Sequence, residues 1–282
     1  MAGELITETG QWELNGLLMG PGTDYNVMRE TTPHAFPDVR VGDLDRAGSG
    51  GVLPGQDLLG GRRVLIQIGI RTATRAGARA ALQTLMASWV PAPVDVPLVW
   101  RDDLGTFRFE GRPRLAEPDE SKVAAGAVDV ECRFLATSPH YVSNAESSGS
   151  TGFPVGGAGF TFPVTFPLVF GTGGTGGVVS ATNAGSVPVP WQASIAGPWV
   201  NPTILHVASG RQLTINVTLV AAEVLTVDSE SQSILLGGTA SRFSSLVQPA
   251  AWFDLDVGSN EVRFGGASGS GTAELSFRSG WL

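Results

Sequence analysis

Apolar and polar residues alternate along most of the chain, and only one stretch repeats with a helical period. Val64, Ile66, Ile68 and Ile70 alternate with Leu65, Gln67 and Gly69, which predicts that residues 62–71 form a strand. Directly afterwards, apolar side chains recur at helical spacing and form one face: Ala78, Ala81, Leu82, Leu85, Met86 and Trp89. We expect this helix to be capped by Thr72 or Thr74, to end before Pro91, and to pack Met86 and Trp89 into a core.

Strands flank this helix in the first half. The Asn15–Gly16 pair predicts a hairpin within residues 4–18. Residues 94–100, 106–113 and 128–136 predict further strands, and Asp102 and Asp103 are expected to form a turn rather than a catalytic pair. Residues 1–146 therefore predict a small α+β domain, with one helix packed on an antiparallel sheet.

Residues 39–61 break this pattern with seven glycines and mixed charges. A segment of this length is typical of either a long exposed loop or an arm that orders on a partner. We refer to residues 39–61 as the arm.

The second half lacks helical periodicity. Short alternating runs, separated by turn residues, recur about every ten residues and include two predicted hairpins, at residues 228–230 and 258–260. This pattern predicts a β-sandwich of jelly-roll type over residues 159–282, and the whole chain is expected to be mainly β. Residues 147–158 are expected to be a linker. Residues 160–170 alternate phenylalanines with Pro163 and Pro167, which predicts an edge strand that seals the seam between the two domains.

Composition narrows the function classes. The net charge of −8 argues against a nucleic-acid-binding protein. Cys132 is the single cysteine, so we expect a buried inert thiol and no intrachain disulfide. The first ten residues lack the features of a secretory leader, and no apolar run approaches a membrane span, so we expect no membrane segment.

Motifs that could carry chemistry are weak. Residues 171–176 match G-x-G-x-x-G, but a strand pattern follows where a nucleotide site needs a helix. Asp254, Asp256 and Asn260 resemble a sparse calcium loop, although a hairpin explains them better. His34, His140 and His206 lack zinc spacing, and no nucleophile elbow occurs. We therefore assign no catalytic, cofactor-binding or metal-binding residue and expect no enzyme.

Four tryptophans in the second half raise an alternative, since exposed aromatic rings form sugar-binding platforms. The candidates are Trp191, Trp199, Trp252 and Trp281. Core or seam positions are the competing interpretation for Trp191 and Trp252, and Trp281 is the one expected to face a partner. A carbohydrate-binding adhesin for host glycans is thus the alternative function.

A succession of short motifs resembles the distal tail proteins of long-tailed siphophages, which include minor tail proteins of actinobacteriophages. The order, rather than any single motif, carries the resemblance. The motifs lie at residues 14–16, 61–64, 134–141, 160–170, 183–186, 202–204, 213–219, 225–228 and 258–264.

The resemblance implies a structural protein of the virion, made in the host cytoplasm and placed at the distal end of the tail. It implies a hexameric ring formed by the N-terminal domain, an arm that belts the neighbouring subunit, and a galectin-like C-terminal sandwich outside. The implied partners are the major tail tube protein, the tape measure protein and other tail-tip proteins. DNA would pass through without specific binding, which suits an acidic chain because basic walls would hold phosphate.

Overall fold

The computed structural model describes residues 2–30, 33–156 and 176–282 and divides the chain into two compact units. The N-terminal unit comprises Met1–Ala145 with Trp281–Leu282, and the C-terminal unit comprises Glu146–Gly280. The phenylalanine-rich stretch 160–170, with its predicted edge strand, and most of the glycine motif 171–176 lie outside the described residues.

The N-terminal unit is built on one antiparallel sheet. The strands of this unit, within the main sheet and outside it, are β1 (Trp12–Leu14), β2 (Leu17–Met19), β3 (Tyr25–Glu30), β4 (Val39–Arg40), β5 (Leu44–Asp45), β6 (Val52–Leu53), β7 (Leu58–Leu59), β8 (Arg62–Arg71), β9 (Val96–Arg101), β10 (Thr106–Asp119), β11 (Ala127–Ala136) and β12 (Tyr141–Ser143). The main sheet has the order β2–β1–β9–β10–β11–β8–β3, and β12 pairs with β10. The predicted Asn15–Gly16 hairpin is confirmed: both residues have positive φ and connect β1 to β2.

The helix α1 (Arg75–Ser88) forms where its periodicity predicts it. Thr74 caps it by accepting a 3.0 Å hydrogen bond from the Gly77 amide. Ala78, Leu82 and Leu85 are buried in the core that they share with β8 and β11. Met86 differs from the expectation and is 37% exposed, because it follows Leu85 by one position and turns away from the buried stripe.

The C-terminal unit is a sandwich of short strands. They are β13 (Ser147–Gly152), β14 (Val178–Asn183), β15 (Trp191–Ala196), β16 (Trp199–Val200), β17 (Thr203–His206), β18 (Gln212–Thr214), β19 (Thr218–Leu219), β20 (Val224–Asp228), β21 (Ser233–Leu236), β22 (Ala240–Ser241), β23 (Gly258–Gly265), β24 (Ser268–Gly269), β25 (Thr272–Phe277) and β26 (Gly280–Trp281), of which Trp281 belongs to the N-terminal unit. Two antiparallel sheets, β13–β25–β15–β20–β21–β22 and β14–β23–β17–β18, contribute to one apolar core. The predicted mainly β fold class is confirmed, with α1 the α-helix of the described residues.

Two boundaries differ from the sequence expectation. Residues 147–152, expected to be a linker, form β13, which pairs with β25 along its whole length. This strand lacks apolar alternation, and a Cβ at Gly149 would lie only 2.7 Å from Val179 Cγ1, so main-chain pairing and close approach determine it. The predicted turn 258–260 is the start of β23, so of the two hairpins predicted in the second half, the one at residues 228–230 is confirmed.

Asn260 explains why residues 258–260 begin a strand instead of forming the predicted turn. It is 1% exposed, and its amide nitrogen donates to the carbonyl oxygens of Asp256 (2.8 Å) and Gly258 (3.0 Å). Its oxygen accepts from the Asp256 amide at 2.9 Å. These bonds hold residues 256–258 as an irregular entry to β23, which a side-chain pattern does not reveal.

Candidate assembly surface

The arm is a long hairpin of two short ladders. β4 pairs with β7, and β5 pairs with β6 nearer the tip. Between the ladders the two chains approach so closely that a Cβ at Gly55 would clash with the carbonyl oxygen of Gly42. The glycines that suggested a loose loop therefore include positions at which the two chain segments of the hairpin approach closely.

Apolar side chains of the arm are exposed, both on its strands and between β4 and β5. Leu44 is 67% exposed and Val41 is 61% exposed. The others that are exposed are Val39, Val52, Leu53, Leu58 and Leu59. Isolated exposed apolar residues are common on proteins, but so many within residues 39–59 are typical of a surface that a partner covers.

Hydrogen bonds hold the root of the arm together. The Gly60 amide donates to the Asp38 carbonyl oxygen at 2.7 Å and thereby closes the hairpin. At the start of β8, the Arg62 guanidinium donates to the carbonyl oxygen of Pro33, which precedes the arm. The two chain segments that enter and leave the arm are thus joined directly.

Arg62 is the central residue of this root. It is 4% exposed and also donates to the Pro139 carbonyl oxygen at 3.0 Å. Its guanidinium carbon lies 5.4 Å from the ring centroid of Phe109 and 5.5 Å from that of Tyr141. Burial lowers the pKa of Arg62, although nearby Tyr141 acts in the opposite direction. Among the described residues, the contacts of this charge are carbonyl dipoles and aromatic faces.

His34 makes the second attachment. Its Nε2 lies 2.8 Å from Asp102 Oδ2, and its Nδ1 lies 2.7 Å from the Tyr141 hydroxyl oxygen. Asp102 Oδ1 also accepts from the amides of Leu104 and Gly105 at 2.8 and 3.1 Å. We call His34, Arg62, Asp102 and Tyr141, with the Pro33 and Pro139 carbonyls, the root clamp.

Electrostatics at the root clamp favour an ionised Asp102. Burial by itself raises the pKa of this carboxyl group, but the hydrogen bonds from His34, Leu104 and Gly105 outweigh it, so the pKa is lowered from its ordinary value. Burial also raises the pKa of Tyr141 and lowers that of His140, the latter with help from the positive charge of Arg62. Asp102 is therefore a turn former, as predicted, and also an anchor for His34, which its position beside Asp103 does not reveal.

The tryptophans proposed for sugar binding do not form an exposed platform. Trp191 and Trp199 are 2% and 0% exposed in the core of the C-terminal unit. Trp252 is half-buried against that core. Trp281, expected to face a partner, instead stacks on Tyr141 at 5.7 Å and meets Phe107 edge-on at 5.1 Å. The adhesin alternative thus loses the surface on which it was based.

The remaining candidate residues fall into separate places. His206 is fully buried, bonded to Ser209 (2.8 Å) and to Asn260 (3.0 Å). Asp254 and Asp256 line a nearby depression of about 250 Å³. Over residues 2–30, 33–156 and 176–282, no three His, Cys, Asp or Glu side chains are grouped so as to hold a metal ion. Within the same ranges, no helix has the length and apolar character needed to span a membrane.

Comparison with known proteins agrees with a tail component. Residues 184–281 match the family model of the siphovirus-type tail component, C-terminal domain. This match covers most of the C-terminal unit and begins within the Asn-Ala-Gly-Ser motif. No curated protein matches the chain.

Solved structures extend the similarity to nearly the whole chain. The crystal structure of SPP1 Dit, described as a paradigm of the hub adsorption apparatus of phages that infect Gram-positive bacteria, has 13% sequence identity and a TM-score of 0.67, and the match covers 96% of this chain and 99% of that one. The activated baseplate of phage P2 with Ca has 8% identity and a TM-score of 0.56, and covers 95% of this chain and 97% of that one. At such low sequence identity, the structural similarity shows the fold alone. The predicted resemblance to siphophage distal tail proteins is confirmed by the family match together with this fold.

Proposed function

We propose that this chain is a structural, non-enzymatic component of the tail tip of a long-tailed phage. In this proposal six copies form a ring at the distal end of the virion tail. The ring joins the tail tube to the baseplate and tail-tip proteins, and DNA passes through it without specific binding.

The observation that carries the proposal is the exposed arm. Its apolar side chains, with Leu44 67% exposed, lie on or beside paired strands that are closed by a hydrogen-bonded root. A second copy that covers this surface would remove apolar area from water, which is the main favourable term in protein association. The similarity of the fold to SPP1 Dit, a hub protein, supports the same role.

The charge distribution supports passage of DNA rather than its retention. The net charge is −8, and several arginines of the main sheet already contact carboxylates. Arg71 lies 2.6 Å from Asp129, and Arg133 lies 2.6 Å from Glu131. Cations that are neutralised in this way attract phosphate weakly, so few counterions would be released on contact with DNA.

The tube protein, the tape measure protein and the tail-tip proteins are the partners that we propose for this ring. Their identification rests on the resemblance, and co-purification from virions with each neighbour tests it. Synthesis in the host cytoplasm, before assembly into virions, belongs to the same proposal.

Excision of the arm tests the ring. Residues 39–59 can be replaced by a short Gly-Ser turn, since the Asp38 and Gly60 main chains are already bonded at 2.7 Å. We expect sedimentation to show an oligomer for the full chain and folded monomers for the excised one. Electron micrographs should show rings with six-fold symmetry for the full chain only.

A matched pair of variants separates the arm from exposed apolar surface in general. Leu44→Ser with Leu53→Ser should weaken the oligomer, whereas Val247→Ser with Val257→Ser, at exposed positions of the C-terminal unit, should leave it intact. A full chain that stays monomeric at high concentration and is absent from virions would refute the proposed function.

A further inference from the structure

A buried histidine and an exposed serine meet in the turn between β17 and β18. His206 ends β17 and is fully buried, whereas Ser209, three positions later, is exposed. Two main-chain hydrogen bonds shape the turn: the Gly210 amide donates to the His206 carbonyl oxygen, and the His206 amide donates to the Arg211 carbonyl oxygen, both at 2.9 Å. His206 Nδ1 lies 2.8 Å from Ser209 Oγ. A side chain that can act as a base therefore contacts a hydroxyl group at the surface.

Asn260 determines which nitrogen of His206 carries the proton. Its Oδ1 accepts from the Asp256 amide at 2.9 Å, and its Nδ2 donates to the Asp256 and Gly258 carbonyl oxygens at 2.8 and 3.0 Å, which fixes the orientation of the side-chain amide. The same Oδ1 lies 3.0 Å from His206 Nε2 and can only accept there. In the neutral ring Nε2 is therefore protonated, and Nδ1 is an acceptor that faces Ser209.

The imidazole ring of His206 is held in this position. It stacks on Phe253, with ring centroids 5.1 Å apart and ring planes inclined by 12°. His206 and Asn260 are 0% and 1% exposed. Ser209 Oγ accepts from the Arg211 amide at 3.3 Å, so its own proton is the one directed at Nδ1. A base and a hydroxyl group that are already aligned need little further ordering to react.

A depression beside Ser209 has room for a small substituent. It measures about 250 Å³, and Ser209 and His206 line it together with Arg211, Asp254 and other residues. A Cβ at Gly210 would meet nothing within 4 Å, so the turn leaves space on that side as well. The hydroxyl group is thus accessible to a reagent, while its base is shielded from water.

We propose that Ser209 is a modification site, which accepts one acyl group from an activated ester with His206 as the base. The hydroxyl proton passes to Nδ1 while Oγ bonds to the carbonyl carbon of the ester. The bond from that carbon to the departing alcohol then breaks, and the alcohol takes up the proton from Nδ1. The products are an ester of Ser209, a free alcohol and a neutral ring.

The neutral side chain of Asn260 indicates a single transfer rather than turnover. In a catalytic triad an aspartate stabilises the imidazolium that forms, and Asn260 has no charge to do so. The site therefore agrees with a structural, non-enzymatic protein. It lies within the C-terminal unit and does not depend on the proposed ring.

Acetylation by p-nitrophenyl acetate tests the proposal on the full-length chain. Release of p-nitrophenolate follows the reaction, and mass spectrometry of proteolytic peptides locates the acetyl group. We expect Ser209 to be acetylated at least about tenfold faster than the exposed Ser231 and Ser270, because a positioned base accelerates the step. Ser209→Ala should abolish this product, and His206→Gln should slow it to the rate of the other serines.

A pair of cysteine variants tests the base even if His206→Gln fails to fold. Ser209→Cys places a thiol against Nδ1, whereas Val207→Cys places one in the same turn, at a position 39% exposed; native Cys132 is buried. The pH dependence of alkylation gives the pKa of each thiol. We expect a pKa below the ordinary value of about 8.5 for Ser209→Cys and near it for Val207→Cys, because an imidazole partner favours the thiolate. The charged groups that line the depression, Arg211, Asp254 and Asp256, are kept in both variants.

Three results would overturn the inference. Acetylation of Ser209 no faster than that of Ser231 and Ser270 would leave the serine as a cap of its turn, whatever the thiol pKa values. Undiminished acetylation in a folded His206→Gln chain, or equal thiol pKa values in the two cysteine variants, would show that His206 is not the base. None of these results bears on the ring, which sedimentation tests separately.

Discussion

His34 and Asp102 lie 68 residues apart in sequence, yet their side chains meet with Nε2 and Oδ2 separated by 2.8 Å. The contact joins the segment before the arm to the turn between β9 and β10. Because the same carboxylate accepts two amides of that turn, His34 is anchored to a group that is already fixed. The arm therefore begins from a rigid point of the N-terminal unit.

Loss of the Asp102 carboxylate should destabilise this unit. We expect Asp102→Ala to lower its free energy of unfolding by about 1 kcal/mol, because the turn amides and His34 lose their acceptor. Urea denaturation measures the change. Asp103→Ala, at the exposed neighbouring position, should have little effect, and equal losses for both variants would contradict the assigned role.

The same contact has a pH signature. The pKa of Asp102 is lowered in the folded state from a reference value of 3.8, so ionised Asp102 stabilises the fold above that pH. As the pH falls through the lower folded value, this contribution is lost. The difference in stability between the native chain and Asp102→Ala should therefore shrink in acid. A difference that grows on acidification would show that another group is responsible.

Arg62 and Arg63 form an internal comparison. Arg62 is buried and bonded to two carbonyl oxygens, whereas the side chain of Arg63 is 84% exposed, with Asp38 at 3.7 Å. Arg62→Lys should cost about 1–2 kcal/mol, because an ammonium does not reproduce the planar fork that joins Pro33 to Pro139. Arg63→Lys should cost close to nothing, as is usual for exposed ion pairs. Thermal unfolding of both variants measures these costs. Similar melting temperatures for the two variants would count against the root clamp.

The local patterns could be predicted because they are properties of neighbouring residues. Alternation through Ile66, Ile68 and Ile70 gave a buried strand face, and Asn15–Gly16 gave a hairpin, since both signals lie within a few positions. β13 was missed because its Ser and Gly residues pair through the main chain, which leaves no hydrophobic signal.

The root clamp could not be predicted, because its members are scattered through the chain. Arg62 contacts carbonyl groups 29 and 77 residues away, and carbonyl acceptors carry no side-chain signature. The sequence placed His34 among three isolated histidines and Asp102 in a turn, and both descriptions were correct locally. Only the sheet order, which brings β8, β10 and β12 together, makes them a site.

Trp281 should stabilise the N-terminal unit, although it lies 136 residues beyond Ala145. Its ring stacks on Tyr141 and contacts Phe107, so Trp281→Ala should cost about 2 kcal/mol in that unit. Hydrogen exchange read by mass spectrometry should show faster exchange in β10 and β12. Trp252→Ala, which removes a half-buried ring from the C-terminal core, should leave those two strands unchanged. Unaltered exchange in Trp281→Ala would contradict the prediction.

Cys132 should report unfolding of the N-terminal unit. It is fully buried in β11, and burial raises its pKa to about 12, with a smaller contribution from Glu131. At pH 8 only about one thiol in ten thousand would be ionised even if a reagent reached it, and the thiolate is the reactive form. We expect an alkylating reagent to modify the folded chain at the rate of unfolding, and therefore faster in Asp102→Ala than in Asp103→Ala. Val94→Cys, at a position 64% exposed, supplies a thiol in the same unit that should react at once. If Cys132 in the folded chain reacted as quickly as that control, β11 would have to open without unfolding of the sheet around it.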